Sequence, residues 1–171
     1  MKSCLTAIFG GLLGVITAPA YALDPPTGQG YLQYDQQRYE LRYAQAVLNP
    51  ANPKRVWILL TTAELSAKDA ADAARTLTLA MSGKLRGVRL NVDAAAPKAT
   101  ELQGALLLSK EESPGGEIVF GAGGEKSWEQ LMLGDKRILG KVRLAKEAGP
   151  SGGSPAWAFD VTFNAPIFST R

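Results

Sequence analysis

The chain has 171 residues, 46% of them hydrophobic, with 19 basic and 16 acidic side chains and a formal net charge of +3. It contains no histidine and one cysteine, Cys4, which excludes histidine-based catalytic triads, disulfides within the chain and Cys/His zinc sites. The small net charge argues against binding to nucleic acid, because nucleic-acid-binding proteins concentrate lysine and arginine far more strongly.

The first 22 residues have the pattern of a cleaved secretion signal. Lys2 precedes an apolar run, Leu5–Thr17, and Ala20-Tyr21-Ala22 matches the small-x-small cleavage pattern. An uncleaved membrane anchor is the alternative, but the run is shorter than the ~20 residues that a spanning helix needs. We expect cleavage after Ala22, no transmembrane segment in the mature chain, and a bacterial-type periplasmic or secreted protein. Residues 23–29 are then a flexible leader, and 30–171 form a single β-rich domain.

The first half of the predicted domain contains short segments with the patterns of β-strands. We predict a strand at 31–34 and another from Tyr39 to Tyr43, where apolar and charged residues alternate, with a bend at 44–46. Arg55–Thr61 is apolar nearly throughout, which is typical of a strand covered on both faces or of a short buried helix. Pro53 and the β-branched residues favour the strand.

One amphipathic helix is predicted at about residues 67–82. Ser66 is a favourable N-cap, Asp69 follows at the spacing of a capping box, and Gly83 is placed to end the helix. The apolar positions recur at helical intervals and are mostly alanine: Ala70, Ala73, Ala74, Leu77 and Met81. Such a face predicts a helix that covers the core and packs closely against a sheet.

After this helix, apolar residues recur with a period of two at 88–92 and 138–145, which predicts two more strands. Residues 102–108 are predicted as a short apolar strand and 117–120 as a brief strand that enters the glycine-rich loop. Residues 128–133 fit either a strand or one helical turn, and Gly134-Asp135 is typical of a hairpin turn.

The last predicted strand, 156–167, organises the rest of the fold. Its large apolar side chains fall on odd positions only: Trp157, Phe159, Val161, Phe163, Ala165 and Ile167. This alternation is typical of a half-buried strand, so its three aromatic rings should lie in the core. We expect it to pair with 138–145 in an antiparallel hairpin. About eight short strands and one helix predict a mainly β fold, either an antiparallel β-sandwich or a partly closed barrel.

Two short motifs suggest catalytic chemistry, but each has a simpler explanation. Gly121–Ser127 is similar to a phosphate-binding loop, yet Glu125 stands where glycine precedes the lysine, which favours an ordinary hairpin loop. Glu111 and Glu112 are the obvious carboxylate pair, but the adjacent Pro-Gly-Gly turn predicts that both point into water. Because no segment has the spacing of metal ligands, neither a metal nor a cofactor is expected.

The candidate binding residues lie on the last two predicted strands. Arg137, Lys141 and Arg143 fall on one face of the penultimate strand, and Asp160 lies on the outer face of the last one. Such a basic stripe attracts acidic proteins, lipid headgroups or cell-wall polymers, and an outer row containing Asp160 can bind sugars or a metal. The competing explanations are an ordinary solvated face and, for the stripe, protection of an edge strand against pairing.

These features predict an exported binding protein without a catalytic centre. Its partner would be another envelope or extracellular protein, with an accessory, inhibitor or immunity-like role. The alternative is a carrier of a small ligand or lipid, with a barrel lumen lined by Tyr39, Tyr43 and Trp157. A third possibility is a carboxylate-dependent hydrolase of polysaccharides.

Overall fold

The computed structural model describes residues 27–96, 102–122, 128–147 and 155–168 and is mostly β-structure. The strands are β1 (Gly28–Tyr34), β2 (Gln37–Glu40), β3 (Tyr43–Leu48), β4 (Arg55–Thr61), β5 (Gly87–Asp93), β6 (Leu102–Leu107), β7 (Glu117–Ala122), β8 (Trp128–Leu133), β9 (Arg137–Lys146) and β10 (Trp157–Phe168). The two short helices are α1 (Ala67–Ala71) and α2 (Ala73–Met81). The predicted mainly β fold class is confirmed, and residues 128–133 are a strand.

The strands form two layers that share β10. The front sheet has the order β2-β1-β10-β9-β8, and the back sheet has the order β3-β4-β5-β6-β7. The end of β10 pairs in parallel with β3 through Ile167 and Phe168. This pairing joins the two sheets at one side, and the described strands do not close into a barrel. The architecture is therefore an open β-sandwich, as the sequence predicted.

Strand β10 has the orientation that its alternating sequence predicted. Its inward residues from Trp157 to Ala165 are buried, and Phe159 is fully inaccessible to solvent. It pairs antiparallel with β9 over ten residue pairs, from Trp157↔Lys146 to Pro166↔Arg137, so the predicted hairpin is confirmed. Gly140 makes room for the Phe163 ring, because a Cβ at this position would lie 2.5 Å from its Cζ atom.

The predicted strand over residues 39–43 is instead a corner between the two sheets. β2 ends at Glu40 in the front sheet and β3 begins at Tyr43 in the back sheet. Between them, the Leu41 N–H donates to the Gly30 carbonyl and the Arg42 N–H to the Thr61 carbonyl. The bend therefore lies before 44–46, where Leu41 is drawn fully into the core.

The predicted helix is broken at Asp72 into two segments. Ser66 caps α1 by accepting a hydrogen bond from the Asp69 N–H, as predicted, and the Asp72 side chain caps α2 by accepting from the Arg75 N–H. The break changes the helical phase, so Thr76 and Ala80 are the buried residues of α2, rather than the predicted series through Leu77. α2 ends at Met81, one residue before the predicted end, and Gly83 follows at a φ of +77°.

Two apolar clusters explain why β4 is hydrophobic on both faces. Val56, Ile58 and Leu60 face the main core between the sheets. Leu59 faces the other way, into a second cluster under the helices with Ala70 and residues of β3 and β6. The helices therefore cover part of the outer face of the back sheet. Among the described residues, no helix is long and apolar enough to cross a membrane.

Candidate functional site

The four predicted site residues lie on the outer face of the front sheet, where only Arg143 and Asp160 are register partners. Strand register places Arg143 beside Asp160 and Asp160 beside Tyr31 of β1. Lys141 lies one pleat further along β9, and Arg137 lies near its start. No helix of the described chain packs on this face, because both helices belong to the cluster on the back sheet.

Two of the three stripe residues are engaged by neighbouring polar groups. Arg137 donates from Nε to the Asn164 Oδ1 at 2.6 Å and from Nη2 to the Asn164 carbonyl at 2.8 Å. Lys141 Nζ lies 2.5 Å from Glu129 Oε2, and this carboxylate raises the pKa of Lys141 above its ordinary value. The face is therefore a mosaic of both charges rather than a bare positive stripe.

Tyr31 and Arg38 extend this mosaic across the sheet. The Arg38 guanidinium lies over the Tyr31 ring, 3.7 Å from its centroid, and its Nε is 3.5 Å from Glu40 Oε1. A cation at this distance is attracted by the electrons of the ring. A continuous row thus runs across four strands: Glu40, Tyr31, Asp160 and Arg143. We call this row, with Arg38, Arg137 and Lys141, the front face.

Protection of an exposed edge does not explain the whole basic stripe. Strand β9 pairs with β10 along its whole length and with β8 from Ile138 to Val142, so the segment that contains Lys141 lies inside the front sheet. The charge of Lys141 cannot block pairing in a segment that is already paired on both sides. This explanation was wrong for Lys141, because the sequence does not show which strand segments are at an edge, whereas Arg137 and Arg143 lie just outside the segment that pairs with β8.

The three aromatic residues assigned to a ligand lumen have different environments. Trp157 is 5% exposed and packs against Phe120 and Phe159 in the main core. The Tyr39 hydroxyl donates to the Glu112 side chain. The cleft that Trp157 borders is lined by neither Tyr39 nor Tyr43.

A buried polar cluster around Glu112 was not anticipated from the sequence. Arg86 Nε lies 2.5 Å from Glu112 Oε2, and the side chains are only 15% and 12% exposed, respectively. The Ser109 N–H and Oγ–H donate to the same oxygen at 2.7 Å, and the Tyr39 hydroxyl donates to Oε1. The prediction that Glu112 points into water was wrong, whereas Glu111 is exposed.

The charge of Glu112 is stabilised inside this cluster. Burial alone would raise the pKa of its carboxyl, but the hydrogen bonds from Tyr39 and Ser109 and the charge of Arg86 outweigh it. The pKa of Glu112 is therefore below its ordinary value. Burial, together with the nearby Glu112 charge, raises the pKa of Tyr39 and of Tyr34, whose hydroxyl donates to the Glu112 carbonyl at 3.2 Å.

The Glu112 cluster connects three parts of the fold. Tyr39 belongs to the front sheet, Arg86 directly precedes β5 of the back sheet, and Glu112 lies in the turn between β6 and β7. Both carboxylate oxygens are engaged by protein groups, so the cluster ties these parts together. The Ser109-x-x-Glu112 spacing is that of a capping box, and this local signal was present in the sequence.

The remaining motifs provide no catalytic arrangement in the described part of the chain. Only Gly121 and Ala122 of the glycine-rich motif are described, at the end of β7; 123–127 lie outside the described residues, as does the predicted signal sequence. Among the described residues, no three His, Cys, Asp or Glu side chains lie close enough to hold a metal ion.

No family model matches the sequence of the chain, and no curated protein and no solved structure is significantly similar to it.

Proposed function

We propose that this is an exported, non-catalytic protein that binds another envelope or extracellular protein through the front face. The single observation that carries the proposal is the row Glu40–Tyr31–Asp160–Arg143, which no described helix covers and which Arg38 and Lys141 flank. The signal-like start of the sequence supports export.

The composition of the front face is suited to a protein partner. Tyrosine and arginine are enriched at the energetic centres of protein interfaces, and Tyr31 is held against Arg38 in a defined position. Met132 and Leu139 add two apolar side chains that are register partners and are 66% and 41% exposed. Because acidic and basic groups alternate here, the partner surface should carry both charges around an apolar contact.

The proposal is tested by comparing a front-face variant with a charge-matched control. The front-face variant is Arg38→Ala with Arg143→Ala, and the control is Lys54→Ala with Lys84→Ala, at exposed positions away from this face. Tagged proteins are crosslinked in the envelope fraction, and a partner identified by mass spectrometry is purified for titration calorimetry. We expect one stoichiometric partner, with binding about tenfold weaker for the front-face variant and unchanged for the control.

Three results would contradict this function. Equal capture by both double variants would exclude the front face as the binding surface. Lipid or another small molecule retained in native mass spectrometry, without a protein partner, would support the carrier hypothesis. Hydrolysis of a polysaccharide that disappears with one carboxylate would support the hydrolase hypothesis.

A further inference from the structure

Strand β7 differs from the other ends of the described sheet because none of the described residues protects its free edge. β2 has only four residues and carries Arg38 and Glu40, and β8 contains a register shift at Glu129. Short strands, charges and bulges are the usual devices that prevent a sheet edge from pairing further. In contrast, β7 pairs with β6 in regular register over six residues.

The side chains of β7 leave this edge open to another strand. Its one charged residue, Glu117, is bound within the sheet by Arg89, whose Nη2 lies 3.0 Å from Glu117 Oε2. Val119 is 75% exposed, the largest exposed fraction of any large hydrophobic residue in the described chain. β7 has no proline, so its free edge retains the N–H and C=O groups that an added strand requires.

A cavity borders β7 on each side. On the outer face, a groove of about 540 Å³ lies between Val119 and the neighbouring strands, with Asn91, Arg89 and Gln103 in its lining. Between the two sheets, a cleft of about 330 Å³ is lined by Ile118, Phe120, Leu144, Lys146 and Trp157. Because side chains of a strand point alternately to its two faces, a strand added to β7 would direct them alternately into the groove and the cleft.

The chemistry of the cavities indicates what such a strand must contain. The Asn91 Oδ1 atom is buried and has no hydrogen-bond partner among the described residues, so the groove favours a hydrogen-bond donor such as a hydroxyl or amide side chain. The side chains that line the cleft are apolar except for Lys146, so the cleft favours a branched aliphatic side chain in the added strand. At its border, Lys146 is exposed and is not a member of any ion pair of the described residues, which favours a neighbouring acidic residue.

A second copy of β7 does not meet these requirements. Its inward residues, Ile118 and Phe120, already pack on their own core, where the Phe120 ring lies 5.2 Å from Trp157 and 5.6 Å from Phe159. Two paired β7 strands would therefore leave both clefts unfilled. The occupant must bring an apolar side chain of its own.

From the free edge and its two cavities, we infer that β7 binds an extended segment of a partner protein by strand addition. The segment alternates aliphatic side chains with hydroxyl or amide side chains and carries an acidic residue beside an aliphatic one. Backbone hydrogen bonds to β7 provide affinity, and the groove and cleft provide specificity. This surface is distinct from the front face, so the inference goes beyond the proposed function.

The test begins with selection from a phage-displayed library of random short peptides on the full-length protein. Selected peptides are synthesised and titrated by fluorescence polarisation against the wild type, Val119→Lys and Ala74→Lys. Val119→Lys places a charge on the exposed edge at little structural cost, and Ala74→Lys adds the same charge on an exposed position of α2. We expect binding about tenfold weaker for Val119→Lys and unchanged for Ala74→Lys.

N-methylation of the selected peptides tests strand addition directly. Each selected peptide is made in two forms, one with N-methyl groups on its odd-numbered residues and one with them on its even-numbered residues. One form should not bind, because its methylated nitrogens face β7, whereas methylation in the other form should have little effect. The inference is overturned if no selected peptide binds, if Val119→Lys binds the peptides as well as the wild type does, or if the two methylated forms bind equally. A wild-type dimer in sedimentation analysis that Val119→Lys dissociates would show instead that a second copy occupies the edge.

Discussion

Glu112 shows how one side chain takes its role from residues distant in the sequence. Its neighbour Glu111 is the same residue type in the same turn, yet only Glu112 faces Arg86 and the Tyr39 hydroxyl. If Glu112 is removed, the Arg86 charge is left without a partner and with little access to water. The two glutamates should therefore differ strongly in their contribution to the free energy of unfolding.

Replacement of Glu112 by glutamine should destabilise the protein by about 3 kcal/mol at neutral pH, because Arg86 loses its buried partner. Glu111→Gln is the matched control and should change the free energy of unfolding by less than about 0.5 kcal/mol. Both are measured by urea denaturation. Equal effects of the two substitutions would show that the Arg86–Glu112 pair does not stabilise the fold.

The same pair makes stability depend on pH in a known direction. The folded-state pKa of Glu112 is below that of the unfolded chain, so its contribution is complete above the ordinary glutamate pKa and is lost as pH falls through the folded value. The difference between the wild type and Glu112→Gln should therefore shrink below about pH 4.3. A constant difference down to strongly acidic pH would contradict this assignment.

Strand β10 is the element on which both layers depend. Its inward residues lie in the main core, whereas Thr162 and Asn164 are exposed on the front sheet. This alternation was the clearest signal in the sequence, because three aromatic rings at alternate positions indicate that the face carrying them is buried.

Truncation of Phe159 to alanine should cost about 3–5 kcal/mol, because a fully buried ring is replaced by a cavity. Thr162→Ala on the opposite face of the same strand should cost less than about 1 kcal/mol. The midpoints and slopes of urea unfolding provide both values. A small effect at Phe159 combined with a large one at Thr162 would mean that the strand has the opposite orientation.

The two sheets of the molecule share one strand and one apolar core. β10 pairs with β1 and β9 in the front sheet and, through its end, with β3 in the back sheet. Phe120 of β7 also packs on Trp157 and Phe159 of β10, so one core belongs to both layers. Neither sheet can unfold without exposing the core of the other, which predicts a single cooperative transition.

Single-tryptophan variants can test this cooperativity. In a Trp157→Phe background, Trp128→Phe leaves Trp57 on β4 as a reporter of the back sheet, and Trp57→Phe leaves Trp128 on β8 as a reporter of the front sheet. Within each variant, the fluorescence and far-ultraviolet circular dichroism midpoints should coincide. Fluorescence of one reporter changing well before the circular dichroism signal would indicate sheets that unfold separately.

Local patterns determined the parts of the fold that depend on neighbouring residues. The alternation in β9 and β10 predicted which side chains face outwards, and Ser66 and Gly83 marked the outer limits of the helical region, because strand faces and helix caps are local features. These signals were sufficient for the fold class and for placing Arg137, Lys141 and Arg143 on one face of β9.

Tertiary structure decided the features that depend on long-range pairing. The corner at Leu41, the burial of Glu112 against Arg86, the position of β9 inside the front sheet and the free edge of β7 have no periodic signature. Each of these features depends on contacts between segments that are distant in the chain. The sequence by itself therefore determined which faces β9 and β10 bury, and the tertiary structure decided which charges are paired and which edge is open.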